Sequence, residues 1–211
     1  MDTTRTQRND LLAQTVIKGL KSRNMSGYYA KDREEALKIA LSLIPEGSTV
    51  TGGGSNSVVE IGLTKALAEG NYQYVERRGL TGEAKRKAEE FAYTCDVFIG
   101  STNAVTNDGI LVNIDGNANR VSAYAYGPKK LVLVAGMNKV APDVDAALKR
   151  ARNEAATINA QRFGLNTPCC KTGACMDCKS PDTICCQFLI TRYSQHKDRI
   201  HVILVDDVLG F

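Results

Sequence analysis

The chain has 211 residues, 43% of them hydrophobic, which is enough for a sizeable core that folds without covalent staples. Its 27 basic and 23 acidic residues are scattered in mixed-sign segments with a net charge of +4, and few aromatics are present to stack on bases, which argues against nucleic-acid binding. No apolar run approaches the ~20 residues that cross a bilayer and no apolar signal segment follows the charged start, so a cytoplasmic protein without a membrane partner is expected.

The first helix is predicted in NDLLAQTVIKGLKSRN, where Leu12, Val16 and Leu20 recur at helical spacing. A second follows in DREEALKIALSLIPEG, with Asp32 and Glu35 as a capping pair and Pro45 and Gly47 as the stop. A short strand from Ser48 to Thr51 leads into GGGSNS and then a helix from about Ser57 to Glu69. Next come a strand at YQYVER, a charged helix around GEAKRKAEEFAYT, and an apolar strand from Asp96 to Ser101.

GILVNID and NRVSAYAY read as two strands joined by a hairpin turn at Gly116 and Asn117. KLVLVAG has the uninterrupted apolar character of a strand buried on both faces. A long helix is expected from about Pro142 to Arg162, and after the cysteines QFLITRYS and RIHVILVDD read as a closing pair of strands. The alternation implies an α/β fold: a mixed, largely parallel sheet with helices on both faces, a cysteine-rich loop and a C-terminal β-hairpin. One domain over residues 1–211 is expected, divided into an α/β body (1–165), the cysteine-rich loop (166–187) and C-terminal strands (188–211). The hairpin's edge strands make a homodimer an option.

Two segments carry candidate binding chemistry. Gly52, Gly53, Gly54, Ser55 and Asn56 lie between a strand and a helix, where backbone N–H groups can face a small anion, although the same pattern also serves as a tight capped turn. It is neither a Walker loop nor a dinucleotide fingerprint. Just after the next buried strand, Ser101, Asn103, Asp108, Asn113 and Asp115 offer short polar groups at a place where α/β sheets bind ligands, and where turns are also built.

No complete nucleophile–base–orienter set can be assembled by spacing, so catalytic residues stay open, with Glu60, Asp108 and Arg120 as candidates. Glu60 sits one turn into the helix after the glycines, a position that favours an acid electrostatically as well. Lys139, Arg150 and Arg152 could receive an anionic substrate or simply coat helix faces. Cys95 has the setting of a packed hydrophobe, and His196 and His201 read as exposed positions of the last hairpin or as extra zinc ligands.

Six of the seven cysteines lie between Cys169 and Cys186. A reducing compartment disfavours disulfides there and points to metal or redox chemistry. Cys170, Cys175 and Cys178 have C-x4-C-x2-C spacing, the first three ligands of a plant-type ferredoxin cluster, and Cys169 gives C-x5-C-x2-C. Cys185 or Cys186 supplies a fourth sulfur, while the C-x2-C step alone suits zinc equally well.

TGGGSNSVVEIGL, DVFIGSTNAVTNDGILVNIDGNANRV, YGPKKLVLVAGMNKV and PCCKTGACMDCKSPDTIC, in that order, resemble successive landmarks of the lactate-utilisation (LUD) domain family. The resemblance runs from Ala36 onward. It implies a fold similar to the ribose-5-phosphate isomerase, glucosamine-6-phosphate deaminase and coenzyme A transferase group, with the glycine turn and the turns after the central strand facing one cleft. Some members sit with iron–sulfur partners in oxidising lactate to pyruvate, which makes a redox accessory with a partner protein the first functional expectation. A small-molecule enzyme or binding protein with an anion (phosphate, carboxylate or coenzyme A) cleft and a structural zinc is the second. The subunit that gave the family its name lacks such a cysteine cluster. Cluster-bearing relatives imply Cys169, Cys175, Cys178 and Cys185 as ligands of an iron–sulfur cluster or, alternatively, zinc, with Cys170 and Cys186 as neighbours.

Overall fold

The computed structural model describes residues 3–211. Its centre is a six-stranded sheet in the order β1 (Ser26–Ala30), β10 (Ile200–Val205), β7 (Lys130–Gly136), β4 (Val97–Gly100), β2 (Thr49–Gly52), β3 (Gln73–Val75). All its pairings are parallel. β7 and β10 lie in the middle and are apolar on both faces, as their uninterrupted runs of Val, Leu and Ile require.

Successive residues of these strands feed two cores. Leu131, Leu133, Val202 and Leu204 pack with Val16 and Leu20 of α1 (Thr3–Ser22) on one face. Val132, Val134, Ile203 and Val205 pack on the other with α2 (Arg33–Ser42), α3 (Asn56–Glu60) and α4 (Leu63–Glu69). The charged helix α5 (Gly82–Phe91) returns the chain from β3 to β4. Asp32 caps α2 by accepting from the Glu35 backbone N–H at 2.8 Å, and Glu35 reaches back to the Lys31 N–H at 3.0 Å.

A second, four-stranded sheet has the order β8 (Val140–Ala141), β5 (Ala104–Thr106), β6 (Leu111–Asp115), β9 (Gln187–Thr191). It packs Ala104, Val112 and Ile114 against Ala147 of α7 (Val144–Arg150) and Ala151. The helical rod continues through a π turn, Ala151–Ala155, into α8 (Ala156–Arg162).

Several expectations need correcting. NRVSAYAY is not a strand but the whole of α6 (Asn119–Tyr126), whose first-turn N–H groups of Arg120 and Val121 donate to the Asp115 carboxylate, at 3.1 and 3.0 Å. The positive φ falls at Ala118, not at Gly116 or Asn117. The C-terminal β-hairpin does not form: β9 is the edge of the small sheet, whereas β10 inserts between β1 and β7 of the large one. The edge-strand argument for a dimer therefore falls to β9 alone, which leaves Phe188 and Ile190 partly exposed. His201 is buried on β10, stacked on Tyr28, rather than exposed. The helix after the glycines is broken at Gly62, which has φ 78°, and the expectation contained neither β1 nor β5.

One close contact ties the small sheet to α1, beside the core that Val105 and Leu111 share with the large sheet. The Asp108–Gly109 turn lies against α1 so closely that a Cβ at Gly109 would meet the Leu20 and Gly19 backbone, and Arg23 pairs with Asp108 beside it. Gly109 also has φ 84°, a conformation costly for any L side chain. Gly109→Ala should therefore destabilise the fold by about 2–4 kcal/mol in a urea titration.

Candidate functional site

Parallel strands deliver their carboxyl ends to one edge of the sheet. α3 and α4 lie on one face between β2 and β3, and the return through α5 brings β4 to the other side of β2, so a crevice opens between the ends of β2 and β4. Here lies a cleft of about 440 Å³. Its walls come from the glycine turn after β2, the turn after β4, the end of β6 with the start of α6, Lys139 after β7, the π turn with α8, and the C-terminal Gly210 and Phe211.

Gly53, Gly54, Ser55, Asn56, Ser101, Asn103 and Arg120 line this cleft. Gly52 and Asn113 do not line it. Gly52 is required by packing, since a Cβ there would sit 2.7 Å from the Ile99 carbonyl oxygen, whereas Gly53 and Gly54 have room and leave the floor open. Asn113 is fully buried; its Oδ1 accepts from the Asn103 N–H at 3.3 Å, and its Nδ2 has no hydrogen-bond partner. Asp108 stands outside the cleft in the Arg23 contact, its carboxyl held below the usual range by Thr106 and Arg23. Glu60 accepts from the Gly210 N–H at 2.9 Å and so pins the C-terminal segment rather than facing the cleft.

Arg120 is built in from three sides. It pairs with Asp115 at 2.7 Å and donates to Asn103 Oδ1 and the Ile114 carbonyl, each at 2.9 Å. Burial opposes its charge and Asp115 more than offsets that. Arg150 donates to the carbonyls of Asn138 and Asn103. Arg162 reaches Asn56 Oδ1 at 3.0 Å from the far end of the helical rod. Ala151 and Ala155, the ends of the π turn, line the cleft between them with small side chains.

Lys139 is the feature that sequence reasoning undervalued. It is 3% exposed, and its Nζ lies 3.0 Å from Ser57 Oγ and 2.9 Å from Ser101 Oγ. Burial, then the Arg150 and Arg120 guanidinium groups, bring its pKa down to about 7. Ser57, which the sequence marked only as a helix start, and Arg162, which it passed over, complete the surroundings. The signal available was a lysine three residues past the end of the buried apolar strand β7.

The cysteine-rich segment starts with the short helix α9 (Pro168–Thr172), ended by Gly173 at φ 73°. Cys169, Cys175, Cys178 and Cys185 line one cavity of about 70 Å³, and Cys170 and Cys186 do not. Burial and the neighbouring Cys175, Cys169 and Cys178 push the Cys185 thiol up to about 11. Arg152 donates to Cys175 Sγ at 3.4 Å. Four thiols on one small cavity are the donor chemistry of a thiolate-ligated cluster or a zinc ion. As they stand, no three His, Cys, Asp or Glu side chains among the described residues form a group that could hold a metal. Ala156 and Ile184 belong to both this cavity and the cleft, so the two share a wall. Cys95 is elsewhere, buried against the Ala92 and Val97 carbonyls with its thiol raised to about 11. No helix among the described residues is long and apolar enough to cross a membrane.

The model of the LUD domain matches residues 13–205. Among solved structures, a DUF162 family protein from Deinococcus radiodurans is similar with a TM-score of 0.54 at 12% identity, over 93% of this chain and 98% of that one. The eIF2B beta of Chaetomium thermophilum reaches a TM-score of only 0.39 at 15% identity, over 54% of this chain and 44% of that one. No match was found among curated proteins.

The pKa of Lys139 makes a testable statement about stability. Its folded value of about 7 lies below the ordinary 10.5, so between these limits the unfolded chain binds more protons and stability rises with pH. Below about 7 the cost of the buried charge is felt in full, and near 10.5 it is gone. Urea titrations across this window should show wild type gaining stability relative to Lys139→Met as pH rises.

Proposed function

The chain belongs to the LUD domain family, and from that premise we propose that it serves organic-acid utilisation by binding a small anion, a carboxylate or phosphate, in the cleft. The observation that carries this reading is the charge of the walls. Five basic side chains (Arg77, Lys85, Arg120, Lys139 and Arg162) face the cleft against two acidic ones, Glu89 and Asp115. Arg77 and Glu89 pair with each other at 3.1 Å and Arg120 and Asp115 at 2.7 Å, which leaves Lys85 and Arg162 without an acidic partner on the cleft wall, beside a Lys139 whose pKa of about 7 leaves it partly charged. Gly53 and Gly54 add backbone that a ligand can approach closely.

Lactate itself enters through the family alone, so the test spans ligand classes. Calorimetric titration with inorganic phosphate, lactate, pyruvate and an acyl-coenzyme A should give saturable binding for at least one. Gly53→Val should weaken that binding about tenfold or more by projecting toward Arg120, while leaving the melting temperature near wild type. Absence of heat with every ligand sinks the reading.

A second reading concerns the cysteine cavity and is favoured by the four thiols that line it. Here the protein is a redox accessory, and Cys169, Cys175, Cys178 and Cys185 would hold an iron–sulfur cluster, with zinc as the alternative. A cluster bound there would supply one-electron chemistry to a partner protein. The chain's own contribution is to shield the thiols with Ile184 and Phe188 and to set the Arg152 guanidinium beside Cys175 Sγ. Protein purified anaerobically should contain near-stoichiometric iron with sulfide, or else zinc, and Cys178→Ser should lose most of it and become protease-sensitive between residues 166 and 187. Neither metal in iron-supplemented anaerobic protein, with all six thiols titrating freely, overturns the reading.

A further inference from the structure

Ser57, Ser101 and Lys139 come from three separate parts of the chain and meet on the cleft wall. Nζ of Lys139 lies 2.9 Å from Ser101 Oγ and 3.0 Å from Ser57 Oγ, and the two hydroxyl oxygens are 3.5 Å apart. All three residues line the cleft, and none is more than 6% exposed. An amine enclosed by two hydroxyls, at the end of a central strand and open to a ligand-sized cavity, has the parts of a nucleophile–base pair. We propose that Ser101 and Lys139 form such a pair for acyl transfer, with the substrate class an ester or thioester of a small carboxylic acid bearing a further negative charge. The proposal rests on the anion reading of the cleft only for the charge of the substrate.

Ser101, rather than Ser57, is the nucleophile. Ser57 is covered by the C-terminal segment: a Cβ built at Gly210 would lie 2.8 Å from its Oγ. Ser101 directly follows β4, and its backbone is fixed by Tyr124, whose hydroxyl donates to the Ser101 carbonyl at 2.7 Å, and by Arg120 Nη1 at 3.4 Å. Ser57 holds the amine from its other side and acts as a positioning residue.

The step balances without any further reagent than water. The Ser101 hydroxyl gives its proton to neutral Lys139 Nζ as its oxygen attacks the acyl carbon. The bond from that carbon to the leaving oxygen or sulfur breaks, and the leaving group takes the proton back from Nζ. Water then attacks the acyl-serine with the same transfer through Lys139, which releases the carboxylic acid and restores Ser101. The burial and the Arg150 and Arg120 charges that bring Lys139 to about 7 keep a useful fraction of the amine neutral near neutral pH. The same positive surroundings stabilise the oxyanion that develops on the acyl oxygen.

The test uses the full chain with mono-p-nitrophenyl succinate, an acyl ester carrying a free carboxylate. Wild type should release a stoichiometric burst of nitrophenolate, peptide mapping should find one succinyl group on Ser101, and the burst rate should rise with pH through about 7. Lys139→Met should slow the burst about 100- to 10,000-fold, Ser57→Ala should shift the pH at which it is half-maximal, and Ser101→Ala, checked by circular dichroism to be folded, should abolish it. No acyl-enzyme in wild type, a succinyl group on Lys139 or elsewhere, or an undiminished burst from Ser101→Ala overturns the proposal. Phosphate binding is titrated in parallel. A chain that binds phosphate without acylation overturns acyl transfer alone, and acylation without phosphate affinity supports it and confines the anion reading to carboxylates.

Discussion

Every strand of the large sheet runs in one direction, and the rest of the molecule follows from that constraint. A parallel pair cannot be closed by a tight turn, so each return must cross a face of the sheet, and helices cover both faces as a result. It also forces the carboxyl ends of β2, β4, β7 and β10 onto a single edge. Gly53, Ser101, Lys139 and Gly210 are distant in sequence and share that edge for this reason only. The cleft is thus less a product of any one motif than of strand direction.

Burial gives the gathered residues their chemical character. A lysine in water is a fully protonated, strongly hydrated cation. Behind β7, with two guanidinium groups nearby and two hydroxyls as its partners, Lys139 loses that hydration and its charge becomes negotiable at neutral pH. Arg120 experiences comparable burial with the opposite outcome, since the Asp115 carboxylate lies against it and keeps it charged. Two neighbouring cations are therefore tuned apart: one is a fixed charge, the other a group that can exchange a proton.

How much of this could be read from the residues depends on whether the information was local. KLVLVAG announced a buried strand, and Asp32 with Glu35 announced a helix start, because each pattern carries its own cause within a few positions. NRVSAYAY misled because its apolar residues suit either period, and the deciding contact, the Asp115 carboxylate on two N–H groups, is a tertiary detail of one turn. QFLITRYS and RIHVILVDD looked like partners by adjacency, yet each pairs with a strand far away in the chain. The glycine turn and the polar turn after β4 were legible as candidate binding segments. That Gly52 answers to Ile99, and that Ser57 meets Lys139, depends on register between strands and could not be.

Ile184 and Ala156 stand with one side to the cleft and the other to the cysteine cavity. A partition one side chain thick has no second layer behind it to absorb a shift, so a displacement on one side is felt on the other. An ion held by the four sulfurs and an anion held in the cleft would both bear on Ile184. Were both compartments occupied, thermodynamic reciprocity would make any coupling mutual: by whatever factor the ion changed affinity for the anion, the anion would change affinity for the ion by the same factor.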